Sequence, residues 1–208
     1  MLSIIYLHGF ASSPGSRKAR MFAERFASLG VPLEIPQLVE GEFRDQTISA
    51  QLRLLERLAE GKPVSLIGSS MGGYLAALYA ARHPEVRKLV LLAPAFGLAR
   101  RWSDGLGPVE MERWRREGTR DYYHYALATN APLGYRFMED AAFYEDEPTV
   151  TQQTLVFHGI HDDVVPVEAS RHFAHGRSNV ELREVDSDHE LIGAMDEILK
   201  ASSHFLLA

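Results

Sequence analysis

"LIGSSMGGYLAALYA", Leu66 to Ala80, decides how the rest of this chain reads. An apolar run stops at Gly68, two serines follow, and Gly72-Gly73 open an alanine-rich segment. The run up to Ile67 has the composition of a buried strand, and the segment from Met71 that of a helix. Between them, Gly68-Ser69-Ser70-Met71-Gly72 fits the pattern G-x-S-x-G. In a strand–turn–helix setting this pattern bends the chain so sharply that its central residue is strained and its side chain stands clear of the sheet. Glycines flank it because side chains there would collide. Ser70 is then the candidate nucleophile and Ser69 a spacer. The bland alternative is a Gly-Ser turn with no chemistry.

Outward from this turn, short apolar runs alternate with longer helical patterns. Strands are predicted at residues 3–7, 33–36, 64–67, 89–92, 154–157 and 180–185. Helices are predicted near 16–29, 43–60, 71–82 and 168–175, with a last one from about Glu190. Continuous apolar strands suit a parallel sheet covered on both faces, and the alternation predicts a doubly wound α/β domain. Pro14 reads as a helix start and His83-Pro84 as a helix stop. One interval breaks the rhythm. Between Ala93 and Thr154 lie roughly 60 residues, where a crossover needs about a dozen. Its pattern predicts a largely helical lid over about 97–148, rich in aromatics.

The chain has 208 residues with 46% hydrophobic and 24% charged content, which predicts one soluble domain spanning 1–208. The net charge of -6 argues against nucleic acid as partner. No cysteine is present, so disulfides and thiolate chemistry are excluded and a reducing compartment fits. "MLSIIYLHGF" lacks a basic leader, and no apolar run is long enough for a membrane span. The expectation is a cytoplasmic protein without a membrane span; oligomeric state is not legible.

A serine hydroxyl is a weak nucleophile until a base, itself held by a third group, takes its proton. In this setting the partners follow in the order Ser, then Asp or Glu, then His. "HGIHDDVVP" follows the strand at 154–157 and offers Asp162 and Asp163. "DSDHE" follows the strand at 180–185 and offers His189. Both loops leave the carboxyl ends of strands, on the side of Ser70. His8, His158, His161, His172 and His175 lack this order or loop position, and His204 falls inside the last helix. A mixed His/Asp metal site is the rival reading of the same two loops; the triad is preferred, with no metal and no cofactor. The first strand ends in "YLHGF", whose glycine lets the next amide turn toward Ser70. The Phe10 and Met71 N–H groups are the candidate oxyanion donors.

These residues resemble the α/β-hydrolase superfamily, and the N-terminal half resembles the small bacterial YqiA-type esterases. The resemblance is carried by "YLHGFASSPGSRKA" (6–19), "IPQL" (35–38) and "IGSSMGGYLA" (67–76), and later by "HGIHDDVVP" and the Asp-His pair. Met71 stands where leucine is common in that family. The resemblance implies a three-layer α/β-hydrolase fold with a mainly parallel six-stranded sheet in the order 2-1-3-4-5-6. It implies a triad of Ser70, Asp162 and His189, because the H-G-x-x-D-x-x-V-P spacing selects Asp162 over Asp163. It also implies a hydrolase of small to medium acyl esters, or alternatively of acyl thioesters. Ser12, Ser13 and Ser16 share the family stretch, with helix capping as their simplest role and support of the oxyanion loop by Ser12 as the other.

Substrate contacts are less legible. Trp102, Trp114 and Tyr122, with Tyr123 and Phe137, either line an acyl pocket or form the lid's own core. Arg100, Arg101, Arg113, Arg115 and Arg116 either meet an anionic leaving group or, interleaved with Glu110, Glu112 and Glu117, make a solvated helix face. A non-catalytic hydrolase-fold binding protein is the alternative from another class.

Overall fold

The computed structural model describes residues 3–208. The first half contains β1 (Ser3–Leu7), α1 (Arg17–Ser28), α2 (Ile48–Ala59), β2 (Val64–Ser69), α3 (Met71–Arg82) and β3 (Lys88–Leu92). After it come α4 (Leu98–Glu117), β4 (Thr119–His124), β5 (Thr129–Gly134) and α5 (Arg136–Ala141). The chain closes with β6 (Gln153–Gly159), α6 (Val167–Ala174), β7 (Val180–Val185) and α7 (Met195–Leu207). Met1 and Leu2 lie outside the described residues. Among the described residues no helix is long and apolar enough to cross a membrane.

Five strands form one parallel sheet in the order β1-β2-β3-β6-β7. Successive strand side chains point to opposite faces, which is why continuous apolar runs build two cores. Ile4, Tyr6, Val90, Leu92, Leu155 and Phe157 meet α1 and α7 on one face, through Phe22, Phe26, Met195 and Ile198. Ile5, Leu7, Leu89, Leu91 and Val156 meet α2, α3 and α6 on the other, through Leu52, Leu55, Leu75 and Phe173. Each such side chain, fully buried, contributes about 1.5–3 kcal/mol. Helix α3 is buried along nearly its whole length, which explains its alanine-rich sequence.

The structure corrects three details. The sheet has five strands instead of six. The expected strand at 33–36 is a single bridge of Glu34 to Ile5, with Tyr6 N–H donating to Glu34 O and Glu34 N–H to Ile4 O. Pro32 and Pro36 bracket it, lack N–H donors, and so stop the ladder on either side. Its place beside β1 is the one the order 2-1-3-4-5-6 requires. Helix α1 begins at Arg17, with the Ser16 hydroxyl accepting from the Ala19 amide, so Pro14 precedes the cap. The excursion between β3 and β6 is only partly helical: β4 and β5 form an antiparallel hairpin between α4 and α5. Helix α4 itself breaks at Gly107-Pro108, where Gly107 has φ +73°.

The hairpin docks beside the mouth of the sheet. His124 packs edge-on against Phe43, and a side chain at Gly134 would sit 2.7 Å from Arg44 O. The Tyr125 amide donates to Ala11 O, just beyond β1.

Candidate active site

Ser70 sits between β2 and α3 with φ +53° and ψ -118°, a strained conformation for a residue with a side chain. Its amide donates to Leu92 O, while its carbonyl accepts from Gly73, Tyr74 and Ala95 N–H. These bonds hold the strain in place. The glycines are sterically required: a Cβ at Gly68 would lie 2.3 Å from Gly72 O, and one at Gly72 would lie 2.1 Å from Leu7 O. Ser69 and Ser70 both border a cavity of about 640 Å³, Ser69 as a buried residue and Ser70 as a half-buried one.

The loops after β6 and β7 converge on that hydroxyl. Ser70 Oγ lies 3.1 Å from His189 Nε2, and His189 Nδ1 lies 2.7 Å from Asp162 Oδ2. An ionised carboxylate can only accept, so Nδ1 carries the proton and Nε2 is free to receive one from serine. The Asp162 side chain is buried and receives further donors: Val164 N–H and Val165 N–H on Oδ1, at 2.9 and 2.7 Å. Burial alone would raise its pKa; the hydrogen bonds from His158, His189 and Val165 outweigh that and hold it well below the usual carboxylate range. Its neighbour Asp163 is exposed at the cavity wall.

Phe10 and Met71 also line the cavity. Among the described residues neither backbone amide has a protein acceptor. Met71 is the first residue of α3, where the helix dipole is positive. His8 fixes the preceding turn: its Nδ1–H donates to Gly9 O at 3.0 Å and its Nε2 accepts from Leu38 N–H at 3.4 Å. Burial lowers the His8 pKa, which keeps this neutral tautomer.

The aromatic candidates divide. Trp102 lines the cavity, while Trp114 and Tyr122 do not. Trp114 is 1% exposed, with its indole N–H donated to Leu133 O, so it belongs to the core of the excursion. Tyr122 stacks on Trp102 and meets Phe10 edge-on. Phe137 is buried, and Tyr123 packs on Tyr125 at the surface. Phe10 is the hub, with ring centroids 5.0 Å from Trp102, 5.4 Å from Phe43 and 6.0 Å from Phe137.

Residues that sequence reasoning passed over complete the site. His158, fully buried, donates from Nε2 to Val165 O at 2.8 Å and lies 3.2 Å from Asp162 Oδ2. Ser170 donates its hydroxyl to His158 Nδ1 at 2.7 Å, which sets that tautomer. Lys18, buried on α1, donates to His189 O at 3.3 Å and pairs with Glu190 at 3.6 Å. The "HGIHDD" spacing was the available signal for His158. Nothing local marks Lys18.

The chain belongs to an uncharacterised protein family, UPF0227, whose model matches residues 3–206. No curated protein matches it in sequence. Among solved structures it is similar to alpha/beta hydrolase domain-containing protein 10 from mouse, with a TM-score of 0.82 and 21% identity, covering 98% of this chain and 89% of that one. Est1E from Butyrivibrio proteoclasticus gives a TM-score of 0.79 and 21% identity, covering 99% and 87%. MGS-MChE2, an alpha/beta hydrolase enzyme from a lagoon-sediment metagenome of Mar Chica, Morocco, gives 0.69 and 19%, covering 98% and 90%. The fold is that of the α/β-hydrolase superfamily.

Proposed function

We propose that this protein is a serine hydrolase that cleaves carboxylic esters of small to medium acyl groups through an acyl-enzyme. One observation carries the reading: Ser70 Oγ, His189 and Asp162 are in hydrogen-bond sequence at 3.1 and 2.7 Å, on a strained turn opening into a cavity. The fold shared with Est1E and other hydrolases supports it.

In this mechanism His189 Nε2 takes the Ser70 proton as Oγ attacks the acyl carbonyl. Asp162 holds the Nδ1–H tautomer and stabilises the imidazolium. The Phe10 and Met71 amides receive the developing oxyanion, in place before charge forms. The imidazolium then gives its proton to the leaving alkoxide. Water, activated by the same nitrogen, releases the acid and restores Ser70. Residues 97–148 act as a cap on a single domain, with Trp102 as the side chain on the acyl path.

The test is fluorophosphonate labelling followed by a screen of p-nitrophenyl esters against acyl-CoA thioesters. Wild type should label at Ser70, and Ser70→Ala should lose turnover by a factor of order 10⁶, while Ser69→Ala keeps most of it. Turnover surviving in Ser70→Ala rejects the reading. Faster turnover of thioesters than of esters moves the substrate class but keeps the machinery.

A further inference from the structure

The arginines of the excursion have separate fates. Arg113 pairs with Glu110 and Glu117, Arg115 with Glu112, and Arg116 with Glu117, all on the exposed face of α4. Arg100 pairs with Asp146 and Asp104. Arg101 alone of these lines the Ser70 cavity, and no carboxylate lies within 4.0 Å of it among the described residues. A guanidinium has five N–H donors. One hydrogen bond of Arg101 is present, from Nη2 to Val164 O.

Its position is unfavourable without a ligand. Arg101 is partly buried, and burial lowers its pKa. It stands in the first turn of α4, where the helix dipole opposes a cation. Arg100 in the same turn has Asp146 to offset this; Arg101 has no such partner. The carboxylate whose charge favours it is Asp162, and the oxygens of Asp162 are already taken by two amides and two imidazoles. Of the other charged groups of the wall, Lys18 turns to His189 O and Glu190, Asp188 Oδ1 accepts from Glu190 N–H, and Arg17 and Asp163 are exposed, so water solvates them where it only partly reaches Arg101. A partly desolvated cation with open donors, facing the cavity that holds Ser70 and His189, matches an anionic ligand group. The planar fork suits carboxylate or phosphate in particular.

We propose that Arg101 recognises an anionic group on the substrate, so that the preferred substrates are acyl esters carrying a carboxylate or phosphate in their acyl or alcohol half. This rests on the serine-esterase reading of the same cavity.

Two matched pairs test it and separate the two sources of the anion. For the acyl half, p-nitrophenyl hydrogen glutarate is compared with p-nitrophenyl pentanoate. For the alcohol half, 4-(butyryloxy)benzoate is compared with its methyl ester. Wild type should favour the anionic member of one pair by roughly tenfold or more in kcat/KM, the worth of one charge-assisted hydrogen bond. The preference should reside mainly in KM and weaken with added salt. Arg101→Gln should bring that ratio near one, Arg101→Lys should retain part of it, and Arg101→Glu should reverse it, whatever happens to absolute rates. No preference in either pair, or a ratio unmoved by Arg101→Gln, overturns the proposal. If Ser70 still takes the fluorophosphonate label in that case, the esterase reading stands and only the anion assignment fails. Absence of both labelling and turnover overturns both.

Discussion

His158 and His189 approach the same oxygen of Asp162, from 3.2 and 2.7 Å. The carboxylate is therefore held between a buried imidazole and a cavity-facing one. Ser170 continues this line on the buried side and Ser70 on the cavity side. In the proposed mechanism His158 touches none of the reacting atoms, which makes it a positioning residue. Replacing it with leucine removes a donor from Asp162 and leaves Val165 O and Ser170 without a partner. Hydrogen bonds to charged groups contribute about 1.5–3 kcal/mol, so kcat/KM should fall by roughly tenfold or more. The loss should fall on kcat with KM little changed, because His158 contacts Asp162 and lies outside the cavity lining. Gln, which keeps a donor, should recover part of it. A loss of stability with kcat per folded molecule unchanged would make His158 merely structural.

The adjacent aspartates should behave differently. Asp162→Asn offers the wrong tautomer partner to His189 and should cost about 10⁴ in rate, as in the serine proteases. Asp163 is exposed and outside the hydrogen-bond chain, so Asp163→Asn should cost less than about tenfold, or 1.4 kcal/mol. Steady-state kinetics of both variants decide this, and the reverse ranking moves the acid.

Asp162 also links stability to pH. Its pKa is depressed in the folded chain, so it contributes stability fully above the unfolded carboxylate value, about 3.9. That contribution disappears as pH falls from there toward the folded value. The melting-temperature gap between wild type and Asp162→Asn should thus be steady near neutrality and shrink below about pH 4. A gap that stays constant through this range contradicts the depressed titration.

Trp102 and Trp114, neighbours in the same aromatic cluster, should separate selectivity from stability. Trp102→Ala opens the cavity wall and should shift the preferred acyl-chain length, with a smaller loss of stability than Trp114→Ala because Trp102 is only half-buried. Trp114→Ala empties a core position and should cost about 3–5 kcal/mol, leaving chain-length preference in the folded fraction as it was. A p-nitrophenyl ester series together with denaturant melts distinguishes them. Flat selectivity in Trp102→Ala would remove that residue from the acyl path.

The sequence by itself determined the strained turn at Ser70, the parallel sheet and the loops that supply Asp162 and His189. Each has a local cause: glycines where a Cβ would strike backbone, and apolar runs that demand cover on both faces. The hairpin at 119–134 escaped because its turn lacks the usual chemistry. Ala128 takes φ +52° where glycine or asparagine would announce it, and Pro132 sits inside β5. Tertiary packing against Phe43 and Arg44 overrides those local preferences. Likewise, five arginines look alike in one dimension. Arg113, Arg115 and Arg116 pair with glutamates of their own helix, which the interleaved charges allow in one dimension; only the folded chain decided that Arg100 turns to Asp146 while Arg101 turns to the cavity, because those partners come from other segments. His158 was passed over for the same reason: its contact with Asp162 requires the loop after β6 to fold back upon its own strand.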